Sequence, residues 1–240
     1  MRCDFVRVPR GLESKVYGVE LARRISMDHT TPVPQHGTPP AALQNVFGKH
    51  TTHFSTADAA GNWVACTATI NTSFGSKVVI PGTGVLMNNE MDDFSIQPGV
   101  PNYFGLVGAE ANAIDAGKRP LTSMSPTLVL VNGQPVLAVG AAGGPAIISQ
   151  VVLAIINMVD FGMDVEKALA QPRFHQQWQP DELRVEGTIG EDVMQALQKR
   201  GHRVVAVRAI GAAQAVSRSA DGAALVGVSE PRGYGQAGGW

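Results

Sequence analysis

Four stretches of the sequence carry residue types that can do chemistry. The first is Gly140-Ala141-Ala142-Gly143-Gly144-Pro145, set between a strand-like run and an apolar helical run. Glycines let backbone approach a ligand closely, and free N–H groups at a helix start attract negative charge. The Lys-Ser/Thr pair of a nucleotide-binding P-loop is missing. That leaves an anion site, an oxyanion hole for a developing alkoxide, or simply a tight strand-to-helix turn. The second stretch, Asn88-Asn89-Glu90-Met91-Asp92-Asp93, puts three carboxylates within four residues. They can hold a metal or a ligand ammonium, although the spacing is not that of a calcium-binding EF-hand loop. A solvated acidic turn is the plain alternative. The third, Lys118-Arg119-Pro120-Leu121-Thr122-Ser123-Met124-Ser125-Pro126, sets three hydroxyls beside two cations. Such a loop can bind a carboxylate, or merely lead into the next strand. The fourth, Lys49-His50-Thr51-Thr52-His53-Phe54-Ser55, reads by spacing alone as a strand that opens on two threonines. No Cys or further His completes a zinc set with His50 and His53, and no G-x-S-x-G elbow occurs. The six histidines, His29, His36, His50, His53, His175 and His202, therefore receive no catalytic role.

The elements that must position these stretches follow from periodicity and punctuation. Residues 18–25 have apolar spacing (Val19, Leu21, Ala22, Ile25) fit for a short helix. Residues 28–41, with two histidines and four prolines, read as an exposed, mobile loop. Strands are predicted at 51–55 and 63–70, around Ala59-Ala60-Gly61-Asn62. A hairpin pairs 127–131 with 135–139 across Asn132-Gly133. An apolar helix is predicted over 145–160, a second over 164–170 capped by Asp164, and a third over 191–200 closed by Gly201. Strands at 203–207, 213–217 and 225–228 complete the chain. Strands come in pairs before and after a block of helices. That order predicts an α+β fold of antiparallel sheets layered with helices, rather than βαβ units. No internal repeat is visible.

The composition narrows the function classes. A chain of 240 residues is long enough to bury a core without staples. Hydrophobic residues make up 44%, which excludes disorder over most of the length. Charged residues are 16% and the net charge is −1, with no basic stripe, so nucleic acid is not an expected partner. Two cysteines, Cys3 and Cys66, cannot build a disulfide framework. No apolar run approaches the roughly 20 residues of a membrane helix, and residues 1–14 do not read as a signal peptide.

Taken in order, several motifs resemble the small subunit of the γ-glutamyltransferases. They are Thr51-Thr52-His53-Phe54-Ser55, Asn71-Thr72-Ser73-Phe74-Gly75, and Leu86 through Ser95. Further matches are Pro98-Gly99-Val100-Pro101-Asn102, Arg119 through Pro126, Gly143-Gly144, Pro172-Arg173-Phe174-His175 and Asp181 through Glu186. The resemblance covers 51–240. Asp4-Phe5-Val6-Arg7-Val8-Pro9 is similar to the end of that family's large subunit. The resemblance thus implies two parts: residues 1–50, a remnant of the large subunit with a linker, and 51–240, the catalytic domain. It implies an N-terminal nucleophile (Ntn) hydrolase fold, an αββα sandwich, here cut short on its N-terminal side.

What the resemblance implies about chemistry is specific. The precursor cuts itself at His50–Thr51, and Thr51 becomes both a new N-terminus and the nucleophile. Thr69 orients it, and the N–H groups of Gly143 and Gly144 hold the oxyanion. Asn71, Glu90 and Asp93 bind the glutamyl ammonium, while Thr122 and Ser123 bind the α-carboxylate. The loop from Ser95 to Gly105 covers the site. Substrates are glutathione or other γ-glutamyl compounds, and the acyl group passes to water or to an amino acid or dipeptide amine. No cofactor and no metal are implied. The family's large-subunit arginine has no counterpart here, so the rest of a large subunit, or a second chain, is an expected partner. Bacterial members are commonly periplasmic or secreted. Two alternatives remain: an acylase of the same fold acting on glutaryl side chains of β-lactams, and a non-catalytic remnant.

Overall fold

The computed structural model describes residues 14–33, 51–233 and 235–239. His50, Cys3 and most of the loop expected at 28–41 lie outside the described residues. The elements run α1 (Lys15–Ala22), β1 (Thr51–Ala57), β2 (Trp63–Thr69), β3 (Thr127–Val131), β4 (Gln134–Ala142), α2 (Ala146–Val159) and α3 (Val165–Ala170). They continue with β5 (Phe174–His175), β6 (Leu183–Glu186), α4 (Glu191–Lys199), β7 (Val204–Val207), β8 (Ala212–Arg218) and β9 (Leu225–Val228).

Strands β3-β4-β8-β9 form an antiparallel four-stranded sheet, and β1-β2 form an antiparallel ribbon beside it. From Leu137 to Ala141 every residue of β4 is buried, because both faces of this strand are covered. Leu137, Val139 and Ala141 face the helices and share a core with Ile147, Val151 and Ala154 of α2 and Val165 and Leu169 of α3. The spacing 147, 151, 154 is one stripe of a helix. The alternate residues of β4 face the ribbon: a Cβ on Gly140 would collide with the His53 ring of β1. Helices, four-stranded sheet and ribbon are three successive layers of the expected α+β sandwich. Among the described residues no helix packs on the outer face of the ribbon, where Phe54 and Val64 stay about half exposed.

Some expectations need correction. The first helix starts earlier, because the Ser14 side chain caps it by accepting from the Tyr17 N–H at 3.4 Å. Its apolar stripe is not a core stripe: Val19, Leu21 and Ile25 are exposed and only Tyr17 is buried. The sheets are not all antiparallel. β6 pairs parallel with β7, and α4 lies in the connection between them, a short βαβ unit. Among the described residues, no helix is long and apolar enough to cross a membrane.

A buried ion cluster locks the C-terminal segment to the core. Arg173 Nη1 meets Glu230 Oε2 at 2.8 Å, with both side chains almost wholly buried. Glu186 accepts from the Arg173 N–H, the Ile210 N–H and Arg232 Nε. Arg232 reaches Glu230 and the carbonyls of Leu169, Ala170 and Gln171 at the end of α3. Burial pushes the Glu230 carboxyl up, but Arg173, the Ala213 N–H and Arg232 together outweigh that and hold it below its ordinary value. Arg173→Met takes the nearest cation from the buried Glu230 and leaves Arg232 alone to offset both Glu186 and Glu230. We expect a loss of about 3–5 kcal/mol in chemical denaturation of the chain.

Candidate active site

Thr51 is the first residue of β1, and its partner across the ribbon is Thr69, the last residue of β2. Directly opposed residues of an antiparallel pair point to the same face with Cβ atoms about 5 Å apart. The ladder therefore sets the two threonines side by side at one end. Thr52 alternates to the outer face and is exposed. His53, on the inner face, hydrogen-bonds Thr67 Oγ1 and Ser55 Oγ, each at 2.8 Å. Burial lowers its pKa to about 4, so the ring is neutral near pH 7. Its contact with Gly140 fixes where β1 crosses β4, two residues from Thr51 and three from Gly143.

The end of β2 is stitched to the acidic stretch. Thr69 Oγ1 accepts from the Asn71 N–H at 2.8 Å. Asn71 is buried with a positive φ of 72°, and its Nδ2 donates to the Asn89 carbonyl. Thr72 donates from both its N–H and its hydroxyl to Asn89 Oδ1. The acidic stretch folds as a 3-10 turn, Glu90–Asp93, which buries Asp93 and half-buries Glu90 and Asp92. Glu90 Oε2, Asp92 Oδ2 and Asp93 Oδ1 are buried and make no hydrogen bond. Burial, then the charges of Glu90 and Asp92, pushes the Asp93 carboxyl up to about 7. Burial raises Glu90 as well, and raises Asp92 against the opposing Tyr103 N–H. A buried carboxylate without a partner is costly, so the cluster is built to receive a cation or a proton. Among the described residues no group of three or more His, Cys, Asp or Glu could hold a metal ion.

Asp92, Asp93, Ser95 and Asn112 help line a cavity of about 270 Å³. Asn112 was not anticipated, yet it joins two of the expected stretches. Its Nδ2 donates to the Asp93 carbonyl at 2.7 Å, and its Oδ1 accepts from the Leu121 N–H at 3.1 Å. This ties the acidic turn to the segment that carries Thr122 and Ser123. Ser123 is buried, and Thr122 Oγ1 caps the backbone by accepting from the Met124 N–H. Lys118 donates to the carbonyls of Ala111 and Ala113, so it braces this loop. Ser95, where the loop expected to cover the site begins, buries an unpartnered hydroxyl against Gly108, where a Cβ would collide with it. No motif in the sequence marks Asn112. Gly143 and Gly144, with φ of 143° and 62°, form the turn from β4 into α2. The structure thus joins Thr51 to Thr69, Asn71 to the Glu90–Asp93 turn, and that turn to Thr122 and Ser123. The diglycine ends the strand on which the ribbon rests.

Comparison with known proteins agrees with this architecture. The model of the gamma-glutamyltranspeptidase family matches residues 3–240. The glutathione hydrolase proenzyme of Escherichia coli is 44% identical over 230 residues, 95% of this chain and 39% of that protein. The chain thus spans well under half the length of this curated relative. A mutant of the gamma-glutamyltranspeptidase of Helicobacter pylori superposes with a TM-score of 0.73 at 49% identity, covering 76% of this chain and all of that one. A cephalosporin acylase from Bacillus halodurans superposes with a TM-score of 0.82 at 32% identity, covering 99% of this chain and 41% of that one. These likenesses place the layered α+β fold among the Ntn hydrolases. The chain belongs to the gamma-glutamyltranspeptidase family.

Proposed function

We propose that this chain carries the catalytic half of a γ-glutamyltransferase and glutathione hydrolase, matured by cleavage at His50–Thr51. The observation that carries the reading is the unpaired, buried Asp93 carboxyl at a site stitched to the Thr51–Thr69 end of the ribbon. A γ-glutamyl substrate brings the cation that this carboxyl lacks. A threonine hydroxyl is a weak nucleophile and needs a base. Cleavage frees the Thr51 α-amine, whose ordinary pKa of about 7.7–8.0 suits proton uptake near neutral pH. Thr51 Oγ1 attacks the γ-carbonyl and its proton passes through that amine to the departing amide nitrogen. Thr69 orients the nucleophile. The N–H groups of Gly143 and Gly144 stabilise the oxyanion, and losing one such donor typically costs about 10²–10³ in rate. Asn71, Glu90 and Asp93 bind the α-ammonium, and Thr122 and Ser123 the α-carboxylate. Water or an acceptor amine then releases the γ-glutamyl group. The working partner is the remainder of a large subunit, in the same precursor or as a second chain. In this division residues 1–50 belong to the large-subunit side and 51–240 to the catalytic domain.

The test is the intact mass of the chain after incubation at neutral pH, alone and with a large-subunit polypeptide. Two fragments meeting at His50–Thr51 support the reading. An uncut chain under both conditions overturns it. The likeness to a cephalosporin acylase favours a second reading, in which a glutaryl amide is the substrate. A glutaryl group has no ammonium and leaves Asp93 unanswered. We therefore expect kcat/KM for a γ-glutamyl anilide to exceed that for the glutaryl anilide by tenfold or more, measured side by side.

A further inference from the structure

Gln150 lies in the second turn of α2 and is 1% exposed, between the Arg173 guanidinium and the backbone of Gly143 and Gly211. A leucine or methionine would fill the same volume without the cost of burying a carboxamide. The amide is instead fully used. Its Nε2 donates to the Ala142 carbonyl at 3.1 Å and to the Ala146 carbonyl at 3.2 Å. These two carbonyls flank the Gly143-Gly144-Pro145 turn. Its Oε1 accepts from Arg173 Nη1 at 3.3 Å. A guanidinium has donors only, so the oxygen of the amide must face Arg173 and the NH₂ must face the turn. Arg173 is held by Glu230 and by the carbonyls of Ile210 and Leu169.

Two glycines make room for this arrangement. A Cβ on Gly143 would lie 2.8 Å from Gln150 Nε2 and 2.9 Å from Gly211 Cα. A Cβ on Gly211 would collide with Gln150 Nε2 and the Ala142 carbonyl. The Ala142 carbonyl shares a rigid trans peptide plane with the Gly143 N–H, and the two point in opposite directions. Holding the carbonyl therefore aims the N–H away from Gln150.

We propose that Gln150 is a positioning residue, which pins the Ala142–Gly143 peptide plane so that the Gly143 N–H serves as an oxyanion donor. This rests on the reading of Gly143 and Gly144 as oxyanion donors given above. The ion cluster around Arg173 acts through it, by fixing which way the amide faces.

The test uses the full chain with two variants. Gln150→Glu keeps the size and the acceptor toward Arg173 but removes both N–H donors. Gln150→Met keeps only the volume. Steady-state kinetics with γ-glutamyl p-nitroanilide is combined with amide hydrogen exchange. The expected result for Gln150→Glu is a kcat lowered about 10–100-fold with KM within about twofold, and faster exchange confined to 142–146. Gln150→Met is expected to show the same pattern. Unchanged kcat and unchanged exchange overturn the proposal. So does a fall in kcat accompanied by faster exchange throughout β4, α2 and α3, which is the signature of a merely structural residue. If the unaltered chain shows no turnover even with a large-subunit polypeptide, the proposed function fails on its own, and exchange at 142–146 still decides whether Gln150 pins the turn.

Discussion

Thr51→Ala is expected to give a chain that stays uncut at His50–Thr51 and turns over a γ-glutamyl anilide at less than about one-thousandth of the unaltered rate. The size of the effect follows from one residue doing two jobs. In the proposed mechanism its hydroxyl attacks in the cut that creates the N-terminus, and again in the cut of the substrate. Alanine has the same backbone and β propensity close enough to hold β1, so the fold is expected to survive, with circular dichroism and melting temperature as the check. Thr51→Ser keeps the hydroxyl and the amine, so both events persist in it. A Thr51→Ala chain that still divides at residue 50, or that still turns over substrate, would falsify the assignment of the nucleophile.

The second large effect is at Asp93. Asp93→Asn removes the charge that would meet the substrate ammonium, and a charge-assisted contact is worth about 1.5–3 kcal/mol. KM for a γ-glutamyl anilide is therefore expected to rise about 10–100-fold, with kcat changed much less. The pH dependence carries a separate signature. The Asp93 carboxyl of the empty site is raised to about 7, by burial first and then by Glu90 and Asp92. Below pH 7 it holds a proton and cannot pair with an ammonium, so KM should climb as pH falls, and this limb should vanish in Asp93→Asn. Stability runs the other way. The folded pKa lies above the unfolded one, so the protonated form is favoured in the folded chain. That contribution is complete below about pH 4 and is lost as pH rises through 7. Without substrate, Asp93→Asn should therefore melt higher than the unaltered chain at pH 8, by on the order of 1–2 kcal/mol after allowance for solvent screening. Equal KM values and identical pH profiles for the two chains would show that the carboxyl does not meet the substrate.

Local signals made parts of this fold legible. The Asn132-Gly133 hairpin, the Asp164 cap and the last strand at 225–228 each depend on a few adjacent residues, and all are found. Where the expectation failed, the deciding interaction was distant. β5 has two residues, too few for any period, and exists only because β6 lies beside it. The parallel partner of β6 is reached through α4, and nothing in Leu183–Glu186 specifies direction. The stripe Val19, Leu21, Ile25 has helical spacing but finds no core among the described residues. The site divides the same way. Spacing alone left Thr51 as an ordinary strand residue, and only likeness to a family singled it out. Asn112 joins the acidic turn to the Leu121 segment and Gln150 joins α2 to Arg173, links between separate segments that no short motif can announce.

The pairing of Thr51 with Thr69 also settles why two adjacent threonines are not interchangeable. In an extended ribbon, parity decides which side of the sheet a side chain belongs to. Thr51 and Thr52 have the same hydroxyl but opposite parity, and Thr52 stands outside. Slipping β1 by one rung would carry Thr52 inward and turn Thr51 out, and with it send the His53 ring away from Gly140. The ring wedged on that glycine is thus a register pin: it makes the slipped ribbon lose its seat on β4, and so keeps the address of the proposed nucleophile at a single residue.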